Sequence, residues 1–125
     1  MLKKIETSNA PQAIGPYSQA IQVGDLIYTS GQIPFNEKNE RIQGDIEQQT
    51  HQVLKNLQAI LEEAGSDFEH VIKTTVFLKD INHFEQMNQV YASYFPNHKP
   101  ARSCVEVSRL PKDVLVEIEV VAKKK

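Results

Sequence analysis

Four side chains near the end of this 125-residue chain, Arg102, Cys104, Glu117 and Glu119, have the types needed for chemistry on a small acidic molecule. A guanidinium offers a planar fork of donors that matches a carboxylate, and a carboxylate side chain can take or return a proton. All four lie in PARSCVEVSRLPKDVLVEIE, Pro100 to Glu119. Apolar and polar residues alternate there, which predicts strands over Arg102–Ser108 and Val114–Ala122 around a turn-like Arg109–Asp113. Side chains repeat every two residues in a strand. Ser103, Val105 and Val107 therefore oppose Arg102, Cys104 and Glu106, while Val114, Val116, Ile118 and Val120 oppose Leu115, Glu117 and Glu119. An antiparallel hairpin joining the two valine faces predicts Arg102, Cys104, Glu117 and Glu119 together on the reverse side. Such a face is either a solvated surface or the floor of a covered pocket. The covered reading is favoured by Pro100-Ala101, which fixes the chain's entry, and by apolar Leu115 and Val121 beside the carboxylates.

The elements that must position this stretch are legible in outline. From Ile5 to Tyr17 an edge strand gives way to a loop marked by Pro11, Gly15 and Pro16. Ser18–Val23 and Leu26–Ser30 predict a hairpin across Gly24-Asp25, stopped by Gly31-Gln32-Ile33-Pro34. Ile42-Gln43-Gly44 reads as a further piece of strand. Asp45 with Gln48 forms a capping pair, Ile46, Val53, Leu54, Leu57, Ile60 and Leu61 keep a helical period, and Gly65 ends the helix. Val71–Leu78 is a β-branched strand. Asn82 with Glu85 predicts the cap of a second helix, with Phe84, Met87, Val90, Tyr91 and Phe95 turned inward and Pro96 as its stop. Two amphipathic helices can cover only one face of the sheet, so the other face asks for a second copy of the chain.

Composition bounds the function. The chain is the size of a single domain, 1–125, and its 40% hydrophobic and 24% charged residues are ordinary for a globular protein. A net charge of -2 gives no reason to expect nucleic acid or anionic lipid as partner, and Lys123–Lys125 reads as a solubilising tail. One cysteine excludes an internal disulfide; MLKKIETSN does not resemble a signal peptide, and no stretch reaches membrane-spanning length. A cytoplasmic location is the expectation. No glycine-rich phosphate loop and no zinc-type Cys/His spacing is present, and the histidines at 51, 70, 83 and 98 fall on unlike elements. A Cys104/His98 nucleophile pair would lack a group to orient the imidazole.

Together with AIGPYSQA (Ala13–Ala20), TSGQIP (Thr29–Pro34) and KTTVFLKD (Lys73–Asp80), the Pro100–Glu119 run resembles the RidA/YjgF family of reactive-imine deaminases, over essentially the whole chain and in the family's order. The resemblance implies a chorismate-mutase-like α+β domain, one mainly antiparallel sheet with two helices on one face, assembled as a homotrimer with ligand clefts between subunits. It implies hydrolysis of 2-imino acids such as 2-iminobutanoate and 2-iminopropanoate to 2-keto acids and ammonia. Arg102 would hold the carboxylate and Glu117 would activate water. The resemblance adds Tyr17, Ser30, Gly31, Asn88 and the Cys104 backbone to the substrate contacts. An imine is already electrophilic, so no cofactor or metal is expected. A second reading, a non-enzymatic regulatory protein that binds a small carboxylate, uses the same pocket, and Glu117 separates the two: a binder of anions gains nothing from a nearby negative group. A ribonuclease or translation-inhibitor reading has been attached to the wider family, and the acidic balance counts against it.

Overall fold

A computed structural model describes residues 1–125 as a six-stranded sheet with two helices packed on one face. The strands are β1 (Leu2–Ile5), β2 (Ala20–Val23), β3 (Leu26–Thr29), β4 (Val71–Leu78), β5 (Ala101–Glu106) and β6 (Val116–Lys123). Helix α1 spans Ile46–Glu63 and α2 spans Phe84–Tyr94. The spatial order is β1-β2-β3-β6-β4-β5, antiparallel throughout except for the parallel pair β4–β5.

Local signals were realised where the chemistry is local. Val23 pairs with Leu26, so Gly24-Asp25 is a two-residue turn, and Gly24 takes the positive φ of 58° that this turn requires. At α1 the Asp45 carboxylate accepts from the Gln48 N–H at 3.0 Å, and the Gln48 amide oxygen accepts from the Asp45 N–H at 3.0 Å. Two orphan donors are satisfied reciprocally. Gly65 follows the helix with φ 80°. The cap at α2 differs from the expected Asn82–Glu85 pair: Asp80 accepts from the Asn82 N–H at 2.9 Å and starts a 3₁₀ turn over Ile81–His83 that runs into the helix. The aspartate two residues earlier meets an N–H group that has no partner in the helix ladder, so the chain starts to coil there. Ile42–Gly44 is irregular chain rather than strand, with only an isolated bridge between Phe35 and Arg41 nearby.

The larger correction concerns the Arg102–Ala122 segment. Its two strands do not pair with each other, because β4 lies between them, parallel to β5 and antiparallel to β6. The β4–α2–β5 stretch has room for the helical crossover that parallel neighbours need, which competes with the shorter hairpin. Insertion of one strand changes which side chains share a face. Thr74, Val76 and Leu78 stand opposite Val120, Ile118 and Val116 on one side and Arg102, Cys104 and Glu106 on the other. Thr74, Val76 and Leu78 are buried beneath the helices, so Arg102 and Cys104 lie on the helix-covered face. Glu117, Glu119, Phe77, Thr75, Ser103 and Val105 lie on the open face.

The core is the helix–sheet interface, with Val53, Leu54, Leu57, Ile60 and Leu61 of α1 fully enclosed against Val76 and Ile118. No helix is long and apolar enough to cross a membrane. The open face keeps Tyr28 46% and Val105 44% exposed, with Val121 paired to Tyr28 beside them. Leu115, expected among them, instead packs partly against the core.

Candidate functional site

Arg102 emerges from edge strand β5 and is held against α2. Its Nη1 donates to Asn88 Oδ1 at 2.6 Å, and its guanidinium carbon lies 4.7 Å from the centre of the Tyr91 ring and 5.4 Å from that of Phe84. A cation on an aromatic face is attracted by the ring quadrupole, and the flat guanidinium also stacks there. Phe84, Asn88 and Tyr91 are spaced four and three residues apart, so they share a helix face. Asn88, which looks like a surface residue by itself, is half-buried here. A groove of ≈ 460 Å³ opens alongside, lined by Arg102, Asn88, Tyr91, Phe95, Lys99 and Pro100. Cys104 is partly buried two residues on, and burial pushes its thiol up, against a smaller pull from Arg102. A thiol raised in this way stays protonated at neutral pH and makes a poor nucleophile.

Glu117 belongs to a second cluster on the opposite face. The β3 chain continues past Thr29, and Gln32 exchanges both backbone hydrogen bonds with Ile118, at 2.8 and 3.2 Å. Gly31 thereby lies directly beneath the Glu117 side chain. A Cβ on Gly31 would sit 2.2 Å from Glu117 Oε2, so only glycine leaves that space to the carboxyl. Ser30 is pinned by its hydroxyl, which donates to the Ser18 carbonyl at 2.6 Å. Tyr17 is 51% exposed on the preceding loop, its hydroxyl accepting from the Ile14 N–H at 3.4 Å. Glu117 has no hydrogen bond or ion pair within the chain, although it is only partly exposed. Burial raises its pKa above the usual glutamate range, and the nearby Glu119 adds to the rise.

The seven residues singled out in the sequence thus form two groups. Arg102, Asn88 and Cys104 stand together at the β5 edge; Glu117 stands over Gly31 on the open face, with Ser30 next to Gly31 in the chain and Tyr17 on the loop before β2, next to the Ser18 that Ser30 contacts. The expectation that Arg102 and Glu117 share one sheet face is overturned by the pairing of β4 with both strands. Sequence reasoning also missed how Arg102 is supported. Phe84 and Tyr91 looked like ordinary core residues, and the available signal was their helical spacing around Asn88.

The arrangement is that of a small α+β domain with a guanidinium held at an edge strand and a separate, unpartnered acid. Matching by family model assigns residues 7–124 to the family described as endoribonuclease L-PSP. A RutC family protein of Pyrococcus horikoshii is 58% identical over 99% of both chains. The 2-iminobutanoate/2-iminopropanoate deaminase of Escherichia coli is 51% identical over 98% of both chains. Among solved structures, E. coli TdcF with bound serine superposes with a TM-score of 0.94 at 44% identity, covering 98% of this chain and 99% of that one. The chain belongs to the RidA/YjgF family, also called the RutC or endoribonuclease L-PSP family.

Proposed function

We propose that the protein hydrolyses 2-imino acids of the 2-iminobutanoate and 2-iminopropanoate kind to 2-keto acids and ammonia. The observation that carries this reading is Glu117, a half-buried carboxyl of raised pKa with no partner in its own chain, seated over a glycine. A structural carboxylate would be paired, and an anion-binding module would not keep one. The likeness to a named imine deaminase and to a structure with bound serine, itself a small amino acid, supports the same substrate class.

Because Arg102 and Glu117 lie on opposite faces, the working site needs one group from each of two copies. In this reading three copies pack their open faces together, closing over Tyr28, Val105 and Val121. Each cleft takes Arg102, Asn88 and the Cys104 backbone from one copy and Glu117, Gly31, Ser30 and Tyr17 from the next. Arg102 grips the substrate carboxylate in a bidentate contact and so places C2 of the protonated imine. Ionised Glu117 takes a proton from water as the new C–O bond forms and the C=N π pair returns to nitrogen. The acid then gives that proton to the amine of the resulting carbinolamine. The C–N bond breaks with its electron pair on nitrogen, an oxygen lone pair forms the keto C=O, and the last hydroxyl proton leaves with the ammonia as ammonium. A raised pKa suits a group that must both accept and return a proton near neutral pH.

The test is semicarbazide trapping of imines generated in place by an amino-acid oxidase. Added protein is expected to shorten the imine's lifetime, and Arg102→Ala and Glu117→Gln to remove most of that effect at substrate well below the wild-type KM. Unchanged trapping with the wild-type protein ends the deaminase reading.

A further inference from the structure

We propose that Tyr91 and Thr74 form a dedicated rest for Arg102, making Tyr91 a positioning residue whose anchored ring sets the plane of the carboxylate fork. Thr74 is fully buried and Tyr91 is 7% exposed, yet each carries a hydroxyl, and the two oxygens are 2.8 Å apart. Thr74 is also the residue directly opposite Arg102 in the β4–β5 register. The hydroxyl pair therefore ties the tip of the Tyr91 ring to the strand position from which the arginine's neighbour springs. The ring face then lies 4.7 Å from the guanidinium carbon.

Stability alone does not account for this pair. Valine and phenylalanine would fill the same volume without taking two hydroxyls out of water, a cost that one hydrogen bond roughly offsets. What the bond adds is direction. Phe95 leans on Tyr91 at a centroid distance of 4.7 Å and is itself almost wholly buried, so the ring is braced from the core side as well. Asn88 fixes one end of the guanidinium through Nη1, and the ring fixes its plane. A bidentate grip needs both, because the two parallel N–H···O bonds fail together when the fork tilts. This inference rests on the proposed role of Arg102 as the carboxylate clamp. It assigns work to a fully buried threonine and to a tyrosine whose hydroxyl points away from the groove into the sheet.

The experiment compares wild type with Tyr91→Phe, Thr74→Val, Tyr91→Leu and Phe68→Leu. Imine clearance gives kcat and KM for each, calorimetry with 2-oxobutanoate gives Kd, and the Arg102 Nε–H resonance is followed by nuclear magnetic resonance. Tyr91→Leu is expected to raise KM and Kd about tenfold while kcat falls far less. Tyr91→Phe and Thr74→Val, which keep a ring or its partner but break the bond, are expected to raise both about threefold. All three shift the Arg102 resonance. Phe68→Leu loosens the same aromatic cluster away from the guanidinium, and lowers thermal stability without moving KM. A KM for Tyr91→Leu within twofold of an active wild type overturns the inference, as does an Arg102 resonance unmoved by the substitution. If the wild type clears no imine while the resonance responds as described, the substrate assignment fails and the positioning role stands.

Discussion

Arg102 and Glu117 are treated in opposite ways by the same sheet. The arginine, on the helix-covered side, is held by Asn88 and by the rings of Tyr91 and Phe84. The glutamate, on the open side, has no hydrogen-bond or ionic partner and sits in a space kept free by Gly31. A group that must bind gains from being fixed before the ligand arrives, since ordering it later subtracts from affinity. A group that must exchange protons gains from being desolvated and unpaired, since a salt bridge would hold it ionised. In the proposed site, the half nearest α2 has the character that grip requires and the half at β3–β6 the character that proton transfer requires.

That contrast is breakable by substitution. Glu117→Gln should lower kcat by about 10²–10⁴-fold, the range for loss of a general acid–base group, with KM little changed. Arg102→Ala should act in the other parameter, raising KM by about 10–100-fold through loss of a charged hydrogen-bonding pair. Gly31→Ala sharpens the comparison, because its new methyl would clash with Glu117 Oε2 at 2.2 Å while its nearest contacts are all with that glutamate. The flexible glutamate can swing away, so the fold should survive while kcat falls by about 10–100-fold. Steady-state kinetics of the three variants separate grip from proton transfer.

The pH dependence follows from the same cause. Burial and then Glu119 raise the Glu117 pKa, so the acid limb of kcat/KM should lie above the ordinary glutamate range, and Glu119→Gln should move it downward. The linked effect on stability has a definite sign. Between the unfolded and the raised folded pKa the native state binds more protons, so Glu117 subtracts stability as pH rises through that window. Glu117→Gln should therefore melt slightly higher than wild type at pH 7, and a lower melting temperature would contradict the account of its burial. The smallest effect belongs to a residue outside both halves: Asp45→Ala breaks the α1 capping box at a cost of about 1 kcal/mol in denaturant unfolding, with KM unchanged.

Much of this was legible in the sequence, and the limit is physical. The alternation from Val114 to Ala122 gave the right inward residues, and the Asp45–Gln48 box and the Gly24-Asp25 turn were found because such signals act within a few residues. Strand pairing acts across the whole chain. Nothing in Arg102–Ser108 itself states that β4, some thirty residues earlier, will lie between it and Val114–Ala122. The hairpin was the pairing with the shortest loop, and α2 competed successfully by carrying the chain over as a crossover. One strand inserted was enough to move Arg102 to the other side of the sheet relative to Glu117. The inward residues of β6 were read correctly, and the placing of Arg102 beside Glu117 within one chain was not.

In the proposed mechanism the fork at 102 and the acid at 117 act on one substrate from different copies of the chain. The most direct test mixes Arg102→Ala with Glu117→Gln protein, each strongly impaired alone at substrate well below the wild-type KM, under conditions that let subunits exchange. Random assortment in a ring with head-to-tail interfaces should pair an intact arginine with an intact glutamate in roughly a quarter of the clefts, and restore imine clearance in that proportion. A mixture that stays as inactive as its components, with exchange verified, would contradict it.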